Sequence, residues 1–229
     1  MKKNEIKTEM AITEICEMIK KGITADHSGK MEGMSSYSTS CLFNPICQAR
    51  SKDPNSICSK CYANSYLNIR TALNDKTVRN YKLMEAEIYP PEAFPRVNAA
   101  FFRLEAFGDL GNTNQAANYF NFAKRNPRTT FALWTKNPHI IADMMKATGM
   151  KKPSNLIIVY SSPKLNEIDD PGYDFIDKIF TVYSKDFSEA NGIKINCGGN
   201  NCLNCGRCYS KRTARNVSEM LKSDQKKKH

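Results

Sequence analysis

Five short apolar runs, each ended abruptly by a polar or proline-bearing turn or by a cysteine, constrain the fold of this sequence more than any other feature. Residues 100–107 (AFFRLEAF) run into Gly-Asp, 129–135 (TTFALWT) into Lys-Asn-Pro and 155–160 (NLIIVY) into Ser-Ser-Pro. Residues 178–183 (KIFTVY) run into Ser-Lys-Asp, and 192–196 (GIKIN) into Cys197. A sixth, weaker run lies at 34–40. Helical patterns fill gaps at 65–88, 114–124, 138–148 and 213–222, the first stopped by Pro90-Pro91, and an amphipathic helix is expected at 4–21. Strand then helix, repeated, builds parallel βαβ units with right-handed crossovers. Six strands are too few for a closed eight-stranded barrel. The expected architecture is therefore α/β with a partial, open (β/α)6 barrel; the alternative is a doubly wound open parallel sheet. One domain is expected over 1–229, with its core at 34–196, a cysteine-rich loop at 197–209, and a helix and basic tail at 213–229.

In both folds functional groups gather at the C-terminal ends of the strands. Cys41, Gly108-Asp109, Lys136, Ser161-Ser162, Lys185 and Cys197 occupy those positions, so all of them are expected around one mouth. Asp109, Lys136 and Lys185 are the candidate catalytic residues. Asp109 could contact substrate or cap the next helix; the two lysines could hold an anionic ligand or be solvated loop residues. Strand alternation puts Phe101, Arg103, Glu105 and Phe107 on one face, and the apolar Phe102, Leu104 and Ala106 on the other, towards helices. Arg103 and Glu105 would then point inward, where charges need partners, and pair with each other or with neighbours.

Eight of the nine cysteines form two groups: Cys41, Cys47, Cys58 and Cys61, then Cys197, Cys202, Cys205 and Cys208. The ninth, Cys16, shares a helical face with Ile12, Ile15 and Ile19 and reads as a small buried hydrophobe. No apolar run is long enough to span a bilayer, and the start lacks the apolar core of a signal peptide. The cytosol is thus the expected home. Thiols stay reduced there, so clustered cysteines point to metal. Cys202-x2-Cys205-x2-Cys208 has ferredoxin-like spacing, and the glycines and asparagines of CGGNNCLNCGRC let backbone N–H groups approach sulfur. One or two [4Fe–4S] clusters in a redox or radical-type protein are expected. The competing cofactor is Zn²⁺, with Cys58-x2-Cys61 facing Cys205-x2-Cys208 across the mouth. Zinc or a cluster would then staple a binding protein. The net charge of +11, from 34 basic and 23 acidic residues, permits nucleic acid or a host protein as that protein's partner. Part of that charge sits in the terminal KSDQKKKH. No phosphate loop, nucleophile elbow or His-Glu-x-x-His occurs, which removes the hydrolase and nucleotide-triphosphatase classes.

The elements CSKCYAN, FRLEAFGDLGN, ALWTKNP and CxxCxxCY, in that order between Cys41 and Tyr209, resemble a group of phage and mobile-element proteins. That group is named after a mycobacteriophage gene product, number eighty-eight. The resemblance implies a phage or prophage origin, a bacterial host cytoplasm and metal-binding cysteines. A fainter likeness connects the chain to radical S-adenosylmethionine enzymes. It implies a partial barrel with a cluster at its mouth and S-adenosylmethionine held beside Gly108-Asp109. The Cys-x3-Cys-x2-Cys loop of those enzymes is absent here.

Overall fold

The computed structural model describes residues 2–198 and 201–225, so Gly199, Asn200 and the end of the basic tail lie outside the described residues. Helix α1 (Lys2–Gly22) leads to a short strand β1 (Thr24–Ala25) and to β2 (Ser35–Tyr37). Three helices follow: α2 (Pro45–Ser51), α3 (Tyr62–Ile69) and α4 (Thr71–Ala86). Then strand and helix alternate through β3 (Phe101–Leu104), α5 (Thr113–Arg125), β4 (Thr130–Thr135), α6 (Pro138–Thr148) and β5 (Leu156–Leu165). Strand β6 (Lys178–Tyr183), α7 (Lys185–Ala190), α8 (Cys202–Cys205), β7 (Asn216–Met220) and α9 (Lys222–Gln225) complete the chain.

The helix boundaries follow from local chemistry. Asn112 caps α5 by accepting the Gln115 N–H, and Lys124 and Arg125 sit in the last turn, where a cation suits the helix dipole. Pro138 opens α6 and Gly149, in the left-handed region, closes it. The single helix expected at 65–88 is two helices. Arg70 leaves helical geometry between α3 and α4, and its guanidinium lies over the Tyr66 ring, 3.8 Å from the centroid.

The strands form one open seven-stranded sheet in the order β1-β2-β3-β4-β5-β6-β7. Only the β1–β2 pair is antiparallel. The register couples Tyr37 to Leu104, Leu104 to Leu133 and Leu133 to Ile158, which brings several strand ends to one edge. Phe102, Leu104, Phe131, Leu133, Leu156 and Ile158 face a layer that includes Ile19, Met84, Phe120, Ile141 and Met144 of α1, α4, α5 and α6. This is the main core. The opposite face carries Phe101, Ala132, Trp134, Ile157, Val159 and Phe180, and it is covered by Met34, Tyr209, Cys202 and Cys208.

Three expectations are corrected. Residues 213–222 are not a helix: 216–220 form β7, because pairing with β6 and burial of Val217 outweigh a helix-like spacing. Residues 192–196 form no strand, since β7 already occupies the β6 edge. They leave one isolated bridge, Cys197 to Glu219. Arg103 and Glu105 do not share a face. Glu105 has φ 60°, in the left-handed region, which rotates it away from the strand alternation and into the main core side. There its carboxylate accepts from the Thr39 N–H at 3.0 Å, from Gln115 Nε2 at 2.7 Å and from the Tyr119 hydroxyl.

Candidate functional site

The loop after β2 carries the first cysteine group over the strand ends. Asn44 organises its start: Oδ1 accepts the Ile46 and Cys47 N–H groups, while Nδ2 donates to the Asp109 carbonyl at 3.0 Å. Ser56 accepts the Cys58 N–H at 3.2 Å and donates to the Pro163 carbonyl. Gln48 holds the Cys41 carbonyl at 2.9 Å. These bonds tie α2 and the 57–60 turn to β3 and β5. As a result Cys41, Cys47, Cys58 and Cys61 line one cavity of about 50 Å³ together with Arg50, Gly108, Asp109 and Lys136.

The cavity is polar on one side and sulfur-lined on the other. Asp109 is buried, and its carboxylate accepts from Thr135 Oγ1 at 2.6 Å, the Lys136 N–H at 3.0 Å and the Leu110 N–H at 2.8 Å. Arg50 Nη1 lies 3.7 Å away, and Arg50 also donates to the Lys136 carbonyl. Asp109 therefore does not cap α5; it welds the β3 end to the β4 end. Lys136 reaches Ser161 Oγ at 3.0 Å. Lys185 lies elsewhere, half-exposed beside Glu189. Arg50 was missed from the sequence, where it is one basic residue inside the ten-residue gap between Cys47 and Cys58.

The thiols of the first group differ in acidity. A hydrogen bond from Cys41, aided by the Asn64 and Ala63 N–H groups at the start of α3, pulls Cys61 down to about 6. The same bond holds the Cys41 proton on. Burial pushes Cys47 up, and the Asp109 charge adds to it.

The second group lies on the other face of the sheet. Cys202 opens α8, capped by Asn201, and Gly206 in the left-handed region turns the chain towards Cys208. Tyr209 stacks on Phe101 with ring centroids 4.7 Å apart and lies beside Trp134. Burial raises Cys197 to about 11 and Cys208 to about 12, and it also raises Cys202, whose shift Arg103 and Lys30 oppose. Each of these thiols lies within electrostatic reach of the others and of Cys205. Cys61 and Cys41 pack with Ala63 and Leu67, whereas Cys202 and Cys208 pack beneath Tyr209. Cys61 and Cys208, one from each Cys-x2-Cys pair, thus belong to separate packing clusters.

Thiol-only donor sets of four suit iron–sulfur clusters and four-cysteine zinc alike. Among the described residues, no three His, Cys, Asp or Glu side chains are already set as ligands of one ion. In the first group Cys41 donates a hydrogen bond to Cys61. A bound centre would replace that bond and displace the thiol protons. Another concavity, about 680 Å³ near Arg96, Arg128 and Thr129, lies at the opposite strand ends and is lined by neither thiol nor carboxylate.

A family model described as Gene product 88 matches residues 8–211, a span that contains all eight grouped cysteines. No curated protein and no solved structure matches the chain. The likeness to radical S-adenosylmethionine enzymes gains no support from these comparisons. No helix among the described residues is long and apolar enough to cross a membrane.

Proposed function

We propose that this chain, which belongs to the phage gene product 88 family, holds one or two iron–sulfur clusters on its two cysteine groups and works in redox or radical-type chemistry. One observation carries the reading: Cys41, Cys47, Cys58 and Cys61, spread over twenty-one positions of loop and helix, meet in a single cavity with a buried carboxylate and a lysine. Disconnected thiols converging on a strand-end cavity are what a cluster requires and what simple packing does not. The partial-barrel reading is supported by a strand order that climbs without reversal and by the packing of α1, α4, α5 and α6 on one face.

A cluster held by Cys41, Cys47, Cys58 and Cys61 would supply one-electron transfer. The protein's own residues would set its surroundings. Asp109 fixes the β3 and β4 ends that form the floor. Arg50 and Lys136 bring positive charge to the cavity wall, which favours an anionic thiolate-bound centre. S-adenosylmethionine has no place in this reading, because Asp109 is occupied by Thr135, Lys136 and Arg50. Cys197, Cys202, Cys205 and Cys208 would ligate the second centre.

The test is iron, acid-labile sulfide and zinc content of anaerobically purified protein. About four or eight iron per chain, matched by sulfide, is the expected result. Zinc without sulfide, or no metal, overturns it. Zinc would move the protein to the second reading, a stapled basic binding protein, which rests on the net charge of +11. That reading requires affinity for DNA or RNA that falls steeply with salt.

A further inference from the structure

The second face of the sheet holds an arginine with no carboxylate bound to it among the described residues, within electrostatic reach of the Cys202 and Cys208 thiols. Arg103 leaves β3 towards Trp134, and its guanidinium carbon lies 4.0 Å from that ring's centroid. Its Nε is buried without a hydrogen-bond partner, and its Nη1 has only the Met31 sulfur, at 3.7 Å, a weak acceptor. Among the described residues, no carboxylate stands within ion-pair distance of it. Asp26, within electrostatic reach of Arg103, accepts from the Ser36 hydroxyl, and Glu219, within reach of Lys222, is paired with Lys30. A second cation, Lys222, lies over the Tyr62 ring at 3.3 Å and within electrostatic reach of Arg103.

Two neighbouring cations whose carboxylates stand off at longer range, with no direct ion pair, gain by an anion that binds both. The aromatic faces of Trp134 and Tyr62 offset part of that penalty, but they leave the planar hydrogen-bonding edge of the guanidinium unused. That edge matches the two oxygens of a carboxylate or phosphate. Arg103 as a whole is only half-buried, which leaves a way in from solvent.

We propose that Arg103 and Lys222 form an anion-binding site on this face, which takes a small molecule through a carboxylate or phosphate group. It adds a place for substrate to a surface that otherwise offers rings and thiols.

Trp134 is the single tryptophan of the chain and lies against the arginine, so its fluorescence reports occupancy directly. Full-length protein would be titrated with inorganic phosphate and with succinate, with affinity measured in parallel by calorimetry. Saturable binding of either anion is expected, and which one binds names the group recognised. Arg103→Gln should weaken it about tenfold or more, with Arg103→Lys intermediate and metal content unchanged. Should Arg103→Gln fail to fold, the exposed Lys222→Met carries the test, with a loss of about threefold expected. Binding of neither anion, or undiminished affinity in the variants that fold, overturns the proposal.

Discussion

The two cysteine groups contain four thiols each and are built in opposite ways. The first is assembled from distant chain positions and held by buried polar groups: Asn44, Ser56, Asp109 and, behind them, Glu105. The second is compact in sequence and rests on an apolar surface through one stacked ring, Tyr209. A site drawn from distant positions depends on the sheet for its geometry. A site drawn from twelve consecutive residues carries much of its geometry locally and asks the sheet only for a seat. The first should therefore fail when the sheet edge is disturbed, and the second should tolerate changes around it.

Glycines make the sharpest test. A Cβ on Gly108 would sit 2.4 Å from Thr39 Oγ1 and 2.6 Å from the Thr39 carbonyl, whereas one on Gly198 meets nothing within 4 Å. Gly108→Ala should cost about 3 kcal/mol or more in urea denaturation, and Gly198→Ala less than about 0.5 kcal/mol. Equal losses would erase the contrast.

The next largest effect concerns Glu105. Burial lifts its carboxyl from 4.5 to about 7 despite the bonds it accepts. Between those values the unfolded chain has lost the proton that the folded chain keeps. Stability contributed by Glu105 is thus complete below pH 4.5, falls as pH rises towards 7, and then levels off. The full loss is about 3 kcal/mol. Denaturation curves across that range should show this slope in the native protein and a flatter one in Glu105→Gln.

Tyr209→Leu should cost about 1 kcal/mol, read as a lower melting temperature, because it keeps apolar cover but loses the ring stack. Metal at the first group should be unaffected. The smallest effect is expected at Cys16, which is half-buried on α1. Cys16→Ala should change metal content not at all and stability by less than about 0.5 kcal/mol.

The strands that alternate with helices were legible because nearly continuous apolar runs such as NLIIVY can satisfy only a sheet covered on both faces. Residues 178–183 match β6 to the residue, and α6 begins and ends where Pro138 and Gly149 place it. The eight cysteines and the placement of Asp109 and Lys136 at strand ends were equally plain. What escaped was long-range. Nothing local in TARNVSEMLK announces that β6 needs a partner, and nothing in FRLEAF reveals that Glu105 turns out of the alternation. Arg103 and Glu105 were expected to pair with each other or with neighbours; Arg103 lies against an indole, and Glu105 is rotated to the other side.

The unbroken strand order also dictates a schedule of assembly. Each strand from β2 onward docks on the one made just before it, so the sheet can grow in step with synthesis, from the N-terminal side. Cys41 to Cys61 can reach their place once β5 is laid down, since Asp109, Lys136 and Pro163 are then present. Cys197 must wait for β7, whose Glu219 forms its bridge. The nascent chain thus acquires its two thiol sites one after the other, and a centre loaded early would find only the first of them ready.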